Sequence, residues 1–266
     1  MRIALTGKGG SGKTTLAATL ARVYARRGFH VNALDGDPNP NLASAIGVTD
    51  EDVASLRRVP REAILDDHHA ADGAVTSHLA RPLEEVLAEY GVVGPDSIGV
   101  LTMTGLLGAG KGCICGQHSA VRDVMEQLAS SEPRQVTILD TEASIEHLSR
   151  GTVRNVDALI VVTEPYYRSL ETAGRVVPLA RELGLPEVWV VANKIRDERD
   201  KEAILRYGAG HGFEIVAAIP WDAQVADADQ LGRSVMDHAP DSAAVAAIGA
   251  LADVMTERLG AAPTTA

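Results

Sequence analysis

The chain has 266 residues, 45% of them hydrophobic but only 3% aromatic, and a formal net charge of −11. That is enough apolar material for one large α/β core, or two small ones, packed from Ala, Val, Leu and Ile. The charge disfavours partners that are nucleic acid or anionic membrane, which reward Lys and Arg, and no apolar run approaches the length of a membrane span.

Residues 2–7 read as a short buried strand that runs into Gly7-Lys8-Gly9-Gly10-Ser11-Gly12-Lys13-Thr14. A helix beginning near Thr15 follows, with Leu16, Leu20, Val23 and Tyr24 on one face and Gly28 closing it; Arg22, Arg26 and Arg27 are expected to complement its dipole. Residues 30–34 form a second strand, completing a βαβ unit, and Asp35-Gly36-Asp37-Pro38-Asn39-Pro40-Asn41 leaves it as a loop. The segment 48–96 is expected to be an insertion covering the sheet, with helical fragments at 53–59 and 79–90 and with His68, His69 and His78 in solvated loop. Strands follow at 97–103, 135–139, 158–162, 188–192 and 213–219. Between or after them come a Gly-rich loop (105–116), a helix bearing Val121, Val124, Met125 and Leu128, a polar stretch (141–152), and helices at 169–183, 197–207 and 242–259. This alternation predicts a doubly wound, mostly parallel sheet with helices on both faces, as one ATP-binding α/β domain over 1–260 with 261–266 a flexible tail.

Glycines that turn a chain tightly between strand and helix aim successive N–H groups into one concavity at the positive end of the helix, which suits phosphate. Gly9, Gly10, Ser11, Gly12 and Thr15 would line that cradle, Lys13 would reach the β- and γ-phosphates, and the Thr14 hydroxyl would be a ligand of Mg²⁺. The dinucleotide spacing Gly7, Gly9, Gly12 with a following Asp35 is also present, but it leaves Lys13 and Thr14 without a role. Asp140 ends an apolar strand, the usual place for the acid that holds Mg²⁺ through water, and Asp37 is the candidate to orient the attacking water, although its loop would also form a simple Asx turn. Asn193-Lys194 ends another strand and can be read as base recognition or as the cap of the next helix. The residue after Ile195 is Arg196, not the Asp of guanine-selective sites, so adenine is favoured.

Cys113 and Cys115 are the only cysteines. No signal peptide is read before the first strand, and in the cytoplasmic setting this implies two thiols are metal or redox ligands more often than a bridge. Four-coordinate metals want four ligands, so two chains together would complete a site; Lys111 and the following helix start would favour the thiolates. An ordinary pair of loop cysteines is the alternative.

The additional lysine in Lys8-Gly9-Gly10-Ser11-Gly12-Lys13-Thr14 makes the chain resemble the deviant phosphate-loop ATPases, the family of MinD, ParA and the nitrogenase iron protein. Four stretches are similar to its CooC-type branch of nickel-insertion ATPases: Asp35-Gly36-Asp37-Pro38-Asn39, Gly112-Cys113-Ile114-Cys115, residues 140–152 (Asp140-Thr141-Glu142 through Gly151-Thr152) and residues 163–171 (Thr163-Glu164-Pro165-Tyr166-Tyr167 through Glu171). The resemblance implies that Lys8 crosses an ATP-bound homodimer to the partner's nucleotide, that Asp37 activates water and that Asp140 lies in a nucleotide-sensing switch. It also implies that Cys113 and Cys115 of both subunits bind one metal, nickel or else zinc, for a client metalloenzyme resembling carbon monoxide dehydrogenase. A positioning ATPase of the MinD/ParA type and an iron–sulfur electron-donating ATPase are the alternatives; the Ala-rich C-terminal helix, with Arg258 its only cation, is unlike a basic membrane-binding helix.

Overall fold

The computed structural model describes residues 1–69, 75–103, 121–126, 134–142 and 153–260. Eight strands form one sheet in the order β10-β9-β8-β1-β7-β2-β6-β5. They are β1 (Arg2–Gly7), β2 (His30–Gly36), β5 (Val92–Gly94), β6 (Ile98–Thr102), β7 (Gln135–Thr141), β8 (Ala158–Thr163), β9 (Val188–Ile195) and β10 (Ile215–Pro220). All neighbours are parallel except β5, which pairs antiparallel with β6 at the edge.

Parallel strands buried on both faces read as continuous apolar runs, and β1 shows why. Ile3 and Leu5 face one hydrophobic layer with α1 (Lys13–Arg26), α2 (Leu42–Ile46) and the late helix α10 (Ala243–Arg258), whereas Ala4 faces the other. That second layer holds α5 (Leu83–Tyr90), α6 (Tyr167–Glu182) and the helical segment 121–126. Val121, Val124 and Met125 are buried there, while Leu128 lies outside the described residues. No helix among the described residues is long and apolar enough to cross a membrane.

Several boundaries differ from expectation. Helix α1 begins at Lys13 rather than near Thr15, because Gly12 in the left-handed region ends the loop. The helix expected at 53–59 is α3 (Asp50–Ser55), started by the Thr49 cap; extended chain follows, with Arg58 bridging to Thr102. A short α4 (Arg61–Ile64) and an antiparallel hairpin of β3 (Leu65–His69) and β4 (Val75–Leu79) occupy what was read as loop. The rings of His68 and His78 meet edge to face at 5.4 Å on that hairpin. Beyond β9 lie α7 (Glu198–Gly210), then the unforeseen α8 (Ala223–Gln230) and α9 (Val235–His238), capped by the side chains of Asp222 and Ser234.

Arg22 does not serve the helix dipole at the surface. It is 2% exposed, and its guanidinium pairs with Asp96 and Asp237 and donates to the Ile46 carbonyl at 2.7 Å, tying α1 to α2, α9 and the turn before β6. Arg22→Ala would leave the buried Ile46 carbonyl and the Asp237 carboxylate without this partner, and Asp96 with Arg26 alone. We expect it to cost about 3 kcal/mol of stability, read as a lower denaturant midpoint.

Candidate nucleotide site

The carboxyl ends of β1, β2, β7, β8 and β9 converge on one edge of the sheet, the edge where open α/β sheets bind ligands. The glycine loop leaves β1 there. Gly7 has φ +145°, and a Cβ would lie 2.3 Å from the Val162 carbonyl oxygen; at Gly12, φ +93°, a Cβ would lie 2.3 Å from Asn193 Nδ2. Neither position admits a side chain. The Ser11 N–H donates to the Lys8 carbonyl at 3.1 Å, and Lys13 Nζ reaches back to that same carbonyl at 3.5 Å. Burial lowers the Lys13 pKa, opposed by the charges of Asp140 and Asp37, so those acids help to hold a cation under the loop.

Below the loop, the Thr14 hydroxyl donates to Asp140 Oδ2 at 2.5 Å. The buried side-chain atoms without a hydrogen-bond partner among the described residues are Asp140 Oδ1 and Ser11 Oγ. A buried oxygen left so costs about 1–3 kcal/mol, and both lie at this site. A hydroxyl and a carboxylate oxygen side by side at a phosphate cradle are the donor set that suits Mg²⁺, so the residues present fit that ion.

Asp35 and Asp140 are register partners on adjacent parallel strands. Burial pushes the Asp140 carboxyl up to about 7, with the Thr14 hydrogen bond opposing and the nearby Asp35 adding to it. Asp35 is raised to about 6, again chiefly by burial, and its oxygens accept the N–H groups of Asp37, Asn41 and Leu42. Asp35 thus shapes the loop that carries Asp37. Asp37 is half-buried, and its Oδ1 accepts from the Asn39 N–H at 2.8 Å: the Asx turn and the candidate position beside the phosphates coexist.

The Asp140 shift has a pH consequence. A carboxyl whose folded pKa lies above its unfolded value binds more protons folded than unfolded, so its contribution to stability falls as pH rises from about 4 to about 7. With chelator present and no nucleotide, Asp140→Asn is expected to gain on the wild type over that interval and to exceed it at pH 8 by on the order of a few kcal/mol, measured by denaturant unfolding. The reverse trend would contradict the burial argument.

Asn193 and Lys194 also reach the loop. Asn193 Nδ2 donates to the Ser11 carbonyl at 2.7 Å and its Oδ1 accepts the Lys194 N–H, while Lys194 Nζ contacts the Gly10 carbonyl and Glu164. A cleft of about 510 Å³ runs from Gly10, Lys13, Thr14 and Thr15 past Asn193 to Pro220, Trp221 and Val245. Arg196 stands at its rim, donating to the Tyr166 hydroxyl at 3.0 Å with its guanidinium 5.9 Å from the Trp221 ring centroid. That volume suits a nucleoside. Trp221 escaped the sequence reading and Glu164 entered it only within the stretch 163–171, with no site role, although each follows an apolar strand at the same edge as Asp140.

The structure therefore brings Gly9, Gly10, Ser11, Gly12, Lys13, Thr14, Thr15, Asp37, Asp140, Asn193 and Lys194 to one edge. Lys8 is half-buried at the same loop, and among the described residues its Nζ has no ion pair or hydrogen bond. Cys113, Cys115, Lys111 and most of the polar stretch 141–152 lie outside the described residues, as does the tail 261–266.

Fold and loop together define a phosphate-loop nucleotide-binding protein. The chain belongs to the CobQ/CobB/MinD/ParA nucleotide-binding domain family, whose model it matches over residues 3–235, and it is an ATPase of that family. It is 37% identical over 242 residues to the carbon monoxide dehydrogenase accessory protein CooC of Rhodospirillum rubrum, covering 90% of this chain and 91% of that one. Among solved structures it is similar to a ParA family ATPase from Chlorobium tepidum (TM-score 0.70, 21% identity, 94% and 96% of the two chains). It is also similar to the septum site-determining protein MinD complexed with Mg-ADP from Pyrococcus horikoshii (TM-score 0.68, 19% identity, 97% of each chain).

Proposed function

We propose that this ATPase is a metallochaperone: ATP and metal close a homodimer, Cys113 and Cys115 of the two copies hold one nickel ion, and hydrolysis reopens the dimer to deliver it. The client would be a carbon monoxide dehydrogenase-like nickel enzyme, in keeping with the name of the 37%-identical relative. Zinc, which four thiolates also suit, would be a competitor for the same site.

The observation that carries the ATPase half is the Thr14–Asp140 pair beneath the loop, with one Asp140 oxygen unpartnered among the described residues. Mg²⁺ bound by Thr14 and Asp140 would offset charge on the β- and γ-phosphates. Lys13 holds a positive charge at the same place, the loop amides bind the phosphate oxygens, and Asp37 orients water in line with the γ-phosphate. Lys8 would extend to the partner's nucleotide. Asn193 and Lys194 complete the site at the end of β9.

Light scattering of the protein with nickel and either ATP or ADP tests this reading. A dimer with ATP and a monomer with ADP are expected; a mass indifferent to nucleotide contradicts it.

A further inference from the structure

Lys194 occupies the left-handed region at φ +59°, which side chains other than glycine rarely adopt. The turn sends its side chain back over the phosphate loop, where Nζ donates to the Gly10 carbonyl at 2.5 Å and pairs with Glu164 Oε1 at 2.9 Å. Glu164 is 9% exposed, and its own N–H donates to Ser169 Oγ at 3.0 Å, so the acid that steadies Lys194 is itself fixed at the end of β8. Next to it, Asn193 Nδ2 holds the Ser11 carbonyl at 2.7 Å. Two successive residues of β9 thus hold two successive carbonyls of the loop.

In a trans peptide the carbonyl and the following N–H point in opposite directions. With the Ser11 carbonyl turned toward β9, the Gly12 N–H faces the other way, away from β9. Carbonyl oxygens repel phosphate, so keeping them turned away is a condition for the nest to bind an anion. The same contacts limit base reading: Asn193 Oδ1 already accepts the Lys194 N–H. The remaining Nδ2 hydrogen is suited to N7, an acceptor that adenine and guanine share.

We propose that Lys194, steadied by Glu164, is a positioning residue for the nucleotide phosphates, holding the loop's carbonyls outward and setting how tightly the phosphates bind without choosing between purines. The inference rests on the loop being a nucleotide site, so Mg-ADP binding to the wild type is measured first; no binding there would overturn that reading and this one together.

The test compares wild type, Lys194→Met, Lys194→Arg and Glu164→Gln, using calorimetric titration with Mg-ADP and Mg-GDP and initial rates with ATP and GTP. Losing a hydrogen bond from a charged donor predicts roughly tenfold weaker Mg-ADP binding in Lys194→Met and a matching rise in KM. Its ATP-to-GTP preference is expected to stay near wild type, and the loss to fall on KM more than on kcat. Lys194→Arg should recover much of the affinity, and Glu164→Gln should show a smaller loss in the same direction. Wild-type Mg-ADP affinity in Lys194→Met, or a changed ATP-to-GTP preference, would overturn the proposal. If the Met variant melts early, Glu164→Gln decides: unaltered Mg-ADP affinity there rejects it.

Discussion

Asp37→Asn is expected to lower kcat for ATP hydrolysis by roughly a hundredfold to ten-thousandfold, the range for removing a positioned base, while leaving Mg-ATP binding nearly intact. The amide keeps the size of the side chain and retains an oxygen to accept from the Asn39 N–H, so the loop keeps its shape. Asp35, which fixes that loop through three backbone N–H groups, is untouched. Loss of the charge also removes one of the two acids that raise the Lys13 pKa, a small effect beside the burial that lowers it. Single-turnover hydrolysis measures the rate, and ATP titration measures the binding. A variant that hydrolyses ATP at the wild-type rate would take Asp37 out of the reaction.

The second large effect is expected at Lys8. Charge supplied across an interface to a phosphoryl transition state contributes about 10³–10⁵ in rate. Lys8→Ala should therefore reduce hydrolysis by orders of magnitude, yet leave Mg-ADP binding close to wild type. Within its own chain the Lys8 carbonyl, not its side chain, joins the loop: it accepts from the Ser11 N–H and from Lys13 Nζ. Truncation to alanine keeps that carbonyl. Lys13→Ala differs, because it removes the cation held at the chain's own phosphates and should weaken ATP and ADP alike. Mixing Lys8→Ala with Asp37→Asn makes the distinction sharper. If Lys8 serves the neighbour, a mixed dimer holds one site with an intact Asp37 that receives Lys8 from the other chain, and part of the activity returns. No recovery together with dimers that form normally would contradict action across the interface.

The sheet was legible because its strands are apolar runs with acids or amides at their ends, and parallel strands buried on both faces leave that mark. Leu16, Leu20, Val23 and Tyr24 marked the buried face of α1 for the same reason, and all four are buried. The hairpin at Leu65–His69 and Val75–Leu79 left no such mark: its sequence, Leu-Asp-Asp-His-His against Val-Thr-Ser-His-Leu, has no alternation of apolar and polar residues. Helices α8 and α9 are too short for a periodic signal and are set by the Asp222 and Ser234 caps.

At the site, the glycine loop was visible because Gly7 and Gly12 answer to close approaches that forbid a side chain. What approaches them was not visible. Val162 and Asn193 are far away in sequence, so the tie between Asn193 and the Ser11 carbonyl depended on strand order. The burial of Arg22 was missed for a related reason, since Asp96 and Asp237 come from distant segments.

The central claim is that one nucleotide-closed dimer holds one metal ion through Cys113 and Cys115. Its most direct test is anaerobic metal analysis, with nickel supplied, of the Asp37→Asn protein trapped with Mg-ATP and isolated as a dimer. About one nickel per two chains is expected from the four-ligand argument, falling to background when Cys113→Ser and Cys115→Ser are combined with it. Nickel at the same level without the two thiols, or a dimer without nickel, would contradict the account.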